Sequence, residues 1–109
     1  MTQDPPTHEA KFRVGQVVHH RMFDYRGVVY DADPEFGLPG EWYEQMARSR
    51  PPKDEPWYHV LVDGAVHTTY VAERNLEGDE TGDPILHPAL DVHFSGRSGS
   101  LYVRRARAN

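Results

Sequence analysis

The sequence has no cysteine among its 109 residues. Disulfides, thiolate nucleophiles and cysteine-ligated zinc are therefore excluded, and the chain fits a reducing compartment. No apolar run approaches the roughly 20 residues needed to span a bilayer. The start, Met1-Thr2-Gln3-Asp4-Pro5-Pro6, has neither a basic n-region nor an apolar h-region. The plain reading is a soluble cytoplasmic protein. Positive charge is scarce over most of the chain: residues 1–96 carry 8 Lys/Arg against 17 Asp/Glu. That acidic body is a poor surface for DNA phosphates, where a basic face is the usual footprint. Residues 97–109 reverse the balance, with Arg97, Arg104, Arg105 and Arg107 and no acid. The plain reading of this end is a flexible basic tail over 95–109; its functional reading is a docking segment for an acidic surface or for phosphates.

What is abundant is β-former. The densest run is Pro56-Trp57-Tyr58-His59-Val60-Leu61-Val62, continued after Asp63-Gly64 by Ala65-Val66-His67-Thr68-Thr69-Tyr70-Val71-Ala72. Asp-Gly between strand-like runs predicts a hairpin with a type I′ turn, with strands near 57–62 and 66–71. Strand alternation puts Tyr58, Val60 and Val62 on one face and Trp57, His59 and Leu61 on the other. Tyr58 and Tyr70 are assigned to the core, and Trp57 and Tyr25 to the surface. An isolated hairpin is marginal in water, so other strands must cover it.

In chain order, residues 1–10 read as disordered, and the domain runs over 11–94. Phe12–His20 predicts a first strand whose Gly15 marks a bulge or turn, and Gly27–Asp33 a second, stopped by Pro34. Residues 34–56 break the rhythm: Glu41–Ser49 reads as a short helix, followed by a proline-rich return. An excursion of about 20 residues in so small a domain is often functional. Leu76 should plug the open end of the sheet, Ile85–Phe94 carries apolar residues again, and Leu101–Arg105 suggests one last short strand. The fold class is mainly β: a small SH3-like bent antiparallel barrel with one short helical excursion. The alternative is an open antiparallel sheet with a helix across it.

No catalytic constellation emerges. The serines lie outside any G-x-S-x-G elbow. The seven histidines show no metalloprotease spacing, so no metal or cofactor is expected. Asp31, Asp33 and Glu35 alternate as on a charged edge strand. The partner-binding candidates are Tyr25 and Trp57 as groove residues, Trp42 and Tyr43 as exposed aromatics on the excursion, and the four C-terminal arginines, Arg97, Arg104, Arg105 and Arg107.

Four segments then line up: Lys11–His20; Tyr25–Pro34, with its G-V-V-x-D-x-D-P; Pro56–Val62, with P-W-Y-H-V; and His67–Leu76, with T-Y-V-A-E-x-N-L. Together they resemble the HspQ family, also called YccV-like or hemimethylated-DNA-binding. The resemblance implies a non-enzymatic heat-shock protein with an SH3-like barrel, forming a homotrimer. It implies either an adaptor that modulates a Lon-type protease or a binder of hemimethylated DNA. The family carries no agreed catalytic residues.

Overall fold

The computed structural model describes residues 10–106. The disorder expected over 1–10 and the candidate Arg107 lie, but for Ala10, outside the described residues. Five antiparallel strands form one sheet: β1 Val17–His20, β2 Arg26–Asp33, β3 Trp57–Val62, β4 Thr68–Ala72 and β5 Leu76–Gly78. Their order is β4-β3-β2-β1-β5. A second sheet is the hairpin β6 Phe94–Ser98 with β7 Leu101–Arg104. The helices are short: α1 Gly40–Met46 and α2 Leu90–His93, with a 3₁₀ turn at Glu73–Asn75. Among the described residues, no helix is long and apolar enough to cross a membrane.

The fold is mainly β, as expected, but the sheet is bent and not closed into a complete barrel. The outer strands β4 and β5 are joined by the 3₁₀ turn and not by a ladder. The hairpin also differs in its turn. Asp63 does not take positive φ; Gly64 alone does, at 77°. The connection is residues 63–67 rather than 63–65, with Asp63 committed to tertiary partners. Its carboxylate accepts from the Leu86 N–H at 2.7 Å and from Arg26 at 2.9 Å.

Both faces of the sheet are buried. On the inner face Val18, Val29, Tyr58, Val60, Val71 and Leu76 make one core. Leu76 closes its end, as predicted. Tyr58 is fully buried, and its hydroxyl donates to the Glu73 carboxylate at 2.6 Å. The same carboxylate oxygen accepts from the Lys11 N–H at 2.8 Å, which holds the start of the domain against the 3₁₀ turn.

On the outer face Val17, Val28 and Leu61 meet Ile85, Phe94 and Tyr102. Residues 95–104, read as the start of a flexible tail with one last short strand from Leu101, thus complete a hairpin with Phe94 that covers the sheet. Gly15 makes this closeness possible. Its φ is 97°, and a β-carbon there would lie 2.1 Å from the Tyr102 carbonyl oxygen. The Tyr102 N–H donates to the Gly15 carbonyl at 2.9 Å. Arg26 ties down the intervening chain, pairing with Asp63 and Asp79 and donating to the Asp83 carbonyl. Burial pushes the Asp79 carboxyl up, but the Arg26 and Thr81 hydrogen bonds outweigh it and hold the group below its usual range.

The rest of the outer face is covered by the excursion. Tyr43 and Ala47 of the α1 region pack on Trp57 and Ala72. The assignment of Trp57 to the surface is therefore corrected: it is 1 % exposed. Alternation placed it on the opposite face from Tyr58, and that is so, but the 34–56 segment buries that face too. Trp57→Ala and Tyr58→Ala should each cost about 3–5 kcal/mol, the range for a large aromatic lost from a core. Urea denaturation of the two variants checks this; a loss below about 1 kcal/mol for Trp57→Ala would contradict the packing.

Candidate functional site

A concavity of about 590 Å³ runs along β4. Three elements build it: the edge strand itself, the turn at 21–25 and the α1 region.

The turn forms because Asp24 adopts the left-handed conformation, at φ 56°, which a short polar side chain tolerates. It closes with Asp24 N–H to His20 carbonyl and His20 N–H to Tyr25 carbonyl, at 3.0 and 2.8 Å. It leaves Met22 and Phe23 in solvent, at 55 % and 67 % exposure. His20, by contrast, is 4 % exposed. Its ring stacks between Phe23 and Tyr25, with centroids 4.8 and 5.0 Å away. Its Nδ1 accepts from the N–H groups of Met22 and Phe23, both at 3.1 Å. Two donors on Nδ1 place the ring proton on Nε2. Nε2 has no hydrogen-bond partner among the described residues, and His20 lines the groove.

The α1 wall is an aromatic assembly. Phe36, Trp42, Tyr43 and Tyr70 surround Trp57; the Tyr70 ring stacks on it at 5.2 Å. The excursion is fastened by the Tyr43 hydroxyl to the Pro51 carbonyl at 2.7 Å and Trp57 Nε1 to the Pro52 carbonyl at 3.1 Å. Lys53 sits over the Tyr43 ring, 4.4 Å from its centroid. Met46, 61 % exposed, and Arg48 stand at the rim.

The candidate residues divide accordingly. Tyr25 is half-buried and lines the groove, its hydroxyl paired with Thr69 Oγ1 at 2.7 Å. Trp42 is half-buried and also lines it. Trp57 forms part of the lining from within the core. Tyr43, expected to be exposed, is buried beneath α1 and does not line the groove. Arg97, Arg104 and Arg105 lie on or just after the C-terminal hairpin, away from the groove lining. Arg97 donates to the Gly82 carbonyl and stacks over Tyr102; Arg105 donates to the Asp91 carbonyl. Arg104 is exposed beside a smaller hollow of about 280 Å³ that Tyr30, His93 and Arg105 also line.

Sequence reasoning missed His20, Phe23, Met46 and Arg48. The available signal is Met22-Phe23, two large apolar residues between the first two predicted strands.

Asp31, Asp33 and His59 also converge, with ligand-type atoms within 4.8 Å of one another. Asp31 lies opposite His59 in the β2–β3 register, and Asp33 accepts from the Tyr70 hydroxyl at 2.6 Å and from His59 at 3.2 Å. Burial raises the Tyr70 hydroxyl pKa, and the Asp33 hydrogen bond raises it further. The hydroxyl therefore stays protonated and spends its proton on Asp33.

Residues 10–100 match the family described as hemimethylated DNA-binding protein YccV like. The chain belongs to the YccV-like family.

Two adjacent histidines make opposite predictions for pH. Burial, with the neighbouring His19, holds His20 below its ordinary value. Its contribution is complete above about 6.5 and is lost as pH falls from there through the lowered folded value. His19 is held above its ordinary value by hydrogen bonds to Asp24 and Glu77. Its contribution is complete below about 6.5 and is lost as pH rises through the raised folded value. In denaturation midpoints measured against pH, His20→Asn should blunt the acid-side loss and His19→Asn the loss above neutrality. An acid limb unchanged by His20→Asn would contradict the assigned tautomer.

Proposed function

We propose that the protein is a non-enzymatic adaptor that binds a protein partner and alters which substrates that partner degrades, acting under heat stress. On the family resemblance we take the partner to be a Lon-type protease and the adaptor to act as a homotrimer. The observation that carries this reading is the apolar groove on a chain of net charge −5. Such a surface suits protein rather than phosphate backbone.

The family's printed description favours a second reading, binding of hemimethylated DNA. Its natural contact is Arg104, beside Arg105 and His93 at the smaller hollow. The cations there are few. Even if Arg97, Arg104, Arg105 and Arg107 all met phosphates, the salt slope of log K would not exceed about 3.6 per chain, from 0.9 per phosphate. Arg97 and Arg105 would first have to leave the carbonyls they hold.

The deciding experiment combines two assays. Degradation of substrate proteins by a purified Lon-type protease should be stimulated by the chain, and Arg104→Gln should leave the stimulation intact. Binding to hemimethylated and fully methylated duplexes should be weak near physiological salt and indifferent to methylation. A tenfold or greater preference for the hemimethylated duplex, about 1.4 kcal/mol, would reverse the ranking. Deleting residues 97–109 is unsuitable as a test, because it removes Tyr102 from the core. Sedimentation in the same buffer should show a trimer at tens of micromolar; a single monomeric species would remove that part of the proposal.

A further inference from the structure

The face-by-face packing leaves the outer backbone edge of β4 bare. The bonds flanking the β3–β4 ladder are Val62 N–H to His67 carbonyl and Glu73 N–H to Pro56 carbonyl. With Val60 opposite Thr69 and Tyr58 opposite Val71, the alternation of an antiparallel pair turns residues 67, 69, 71 and 73 toward β3. The N–H and C=O groups of Thr68 and Tyr70 therefore point away from it. Among the described residues, no other segment hydrogen-bonds to them. Unpaired edge groups are a template for another strand.

Four observations say what that strand is. First, the edge is flanked by apolar side chains on both of its faces. Phe23 lies on the side where Thr69 meets Tyr25, and Met46 and Trp42 lie on the side where Tyr70 and Ala72 meet the excursion. Second, Phe23 and Met46 are more than half exposed, so these walls are unfilled. Third, the His20 Nε2–H has no acceptor among the described residues and opens to solvent in the same groove, where a peptide oxygen can replace water on it. Fourth, the charge is complementary to an acid. No Asp or Glu lines the groove, although the chain is acidic overall, and Arg48 at its rim is exposed and makes no ion pair among the described residues.

We propose that the β4 groove binds an extended, acidic peptide segment of a partner protein, which adds as a strand to the edge at Thr68 and Tyr70. Successive peptide side chains point to opposite faces of the extended sheet. One therefore packs on Phe23 and the next on Met46 and Trp42. The His20 Nε2–H donates to a peptide oxygen, and a carboxylate of the segment pairs with Arg48. Main-chain pairing supplies register and affinity, and the two walls and Arg48 supply selectivity. This deepens the adaptor reading by giving the chemistry of the partner segment, and it rests on that reading only for biological purpose.

The test starts from short random peptides selected by display on the full chain. The enriched peptide is synthesised and titrated into isotope-labelled protein. The expected consensus has adjacent apolar residues with an Asp or Glu at one end. The amide signals of Thr68 and Tyr70 should shift and exchange more slowly with solvent. N-methylation of the peptide's pairing amides should abolish binding. Arg48→Glu alters an exposed side chain and should keep the wild-type denaturation midpoint; Phe23→Ala gives up the stack on His20, so its binding is measured at a temperature where the variant is fully folded. Each should weaken binding by about tenfold or more, the equivalent of about 1.4 kcal/mol. Replacing the peptide's acid with Lys should restore affinity for Arg48→Glu.

Three results would overturn the proposal: no enriched peptide, signals that move elsewhere than β4, or binding indifferent to N-methylation. A change in oligomeric state on Phe23→Ala without peptide would also overturn it, since the occupant would then be a second copy. The two readings fail separately. Stimulated proteolysis that is unchanged by Phe23→Ala removes the groove and leaves the adaptor. Peptide binding as described, without any stimulation of proteolysis, removes the adaptor and leaves the groove.

Discussion

Strand β3 has to be buried on both faces, and most of the architecture answers that demand. Tyr58 and Val60 point into the inner core; Trp57 and Leu61 point out of the opposite face and are buried as deeply. A domain of this length has little apolar material to spare. It covers the outer face with two pieces of unlike origin. The C-terminal hairpin brings Phe94 and Tyr102 onto Leu61, and the 34–56 excursion brings Tyr43 and Ala47 onto Trp57. Each cover is fastened by polar contacts that leave its apolar side chains free to pack. Arg26 holds the chain leading to Ile85, and the Pro51 and Pro52 carbonyls hold the excursion.

Covering both faces has a consequence for function. A sheet with no exposed face can offer a partner only its edges, its loops and its covers. The β4 edge is where the cover on one face and the 21–25 turn on the other stop short of meeting, and the gap is the groove. The basic C-terminal residues, which by charge alone look like a docking tail, are partly spent on the cover itself through the carbonyls of Gly82 and Asp91. The surface best suited to a macromolecule is thus apolar, faintly positive at Arg48, and lined by no acid, within a chain that is acidic overall.

Much of the sheet was legible because period-two alternation and β-branched composition report directly on strands. Residues 57–62 form β3 as predicted, Leu76 closes the core, and Gly15 sits in a turn as read, although its close approach to the Tyr102 backbone is set by the fold. The failures share a cause. Alternation tells which residues share a face and not whether that face is covered, so it sends Trp57 to solvent; Tyr43, on the excursion, reads as an exposed patch because nothing local shows that the excursion folds back onto the sheet. The Ser95–Ser100 stretch reads as flexible by composition, yet it connects two core residues, Phe94 and Tyr102, across a tight turn. The hairpin turn was misread because Asp63 serves Arg26 and Leu86, tertiary partners that a dipeptide rule does not see. Arg48 and His20 carry no local pattern at all; only the fold brings them to one groove.

The central claim is that β4 keeps one bare edge while everything around it is packed. Residue-resolved amide hydrogen exchange of the free protein tests it most directly. The N–H groups of Thr69 and Val71 face β3 and should be strongly protected, while those of Thr68 and Tyr70 should exchange far faster despite lying in the same strand. Uniform protection across Thr68–Val71 would mean that the edge is already paired, and it would contradict the account.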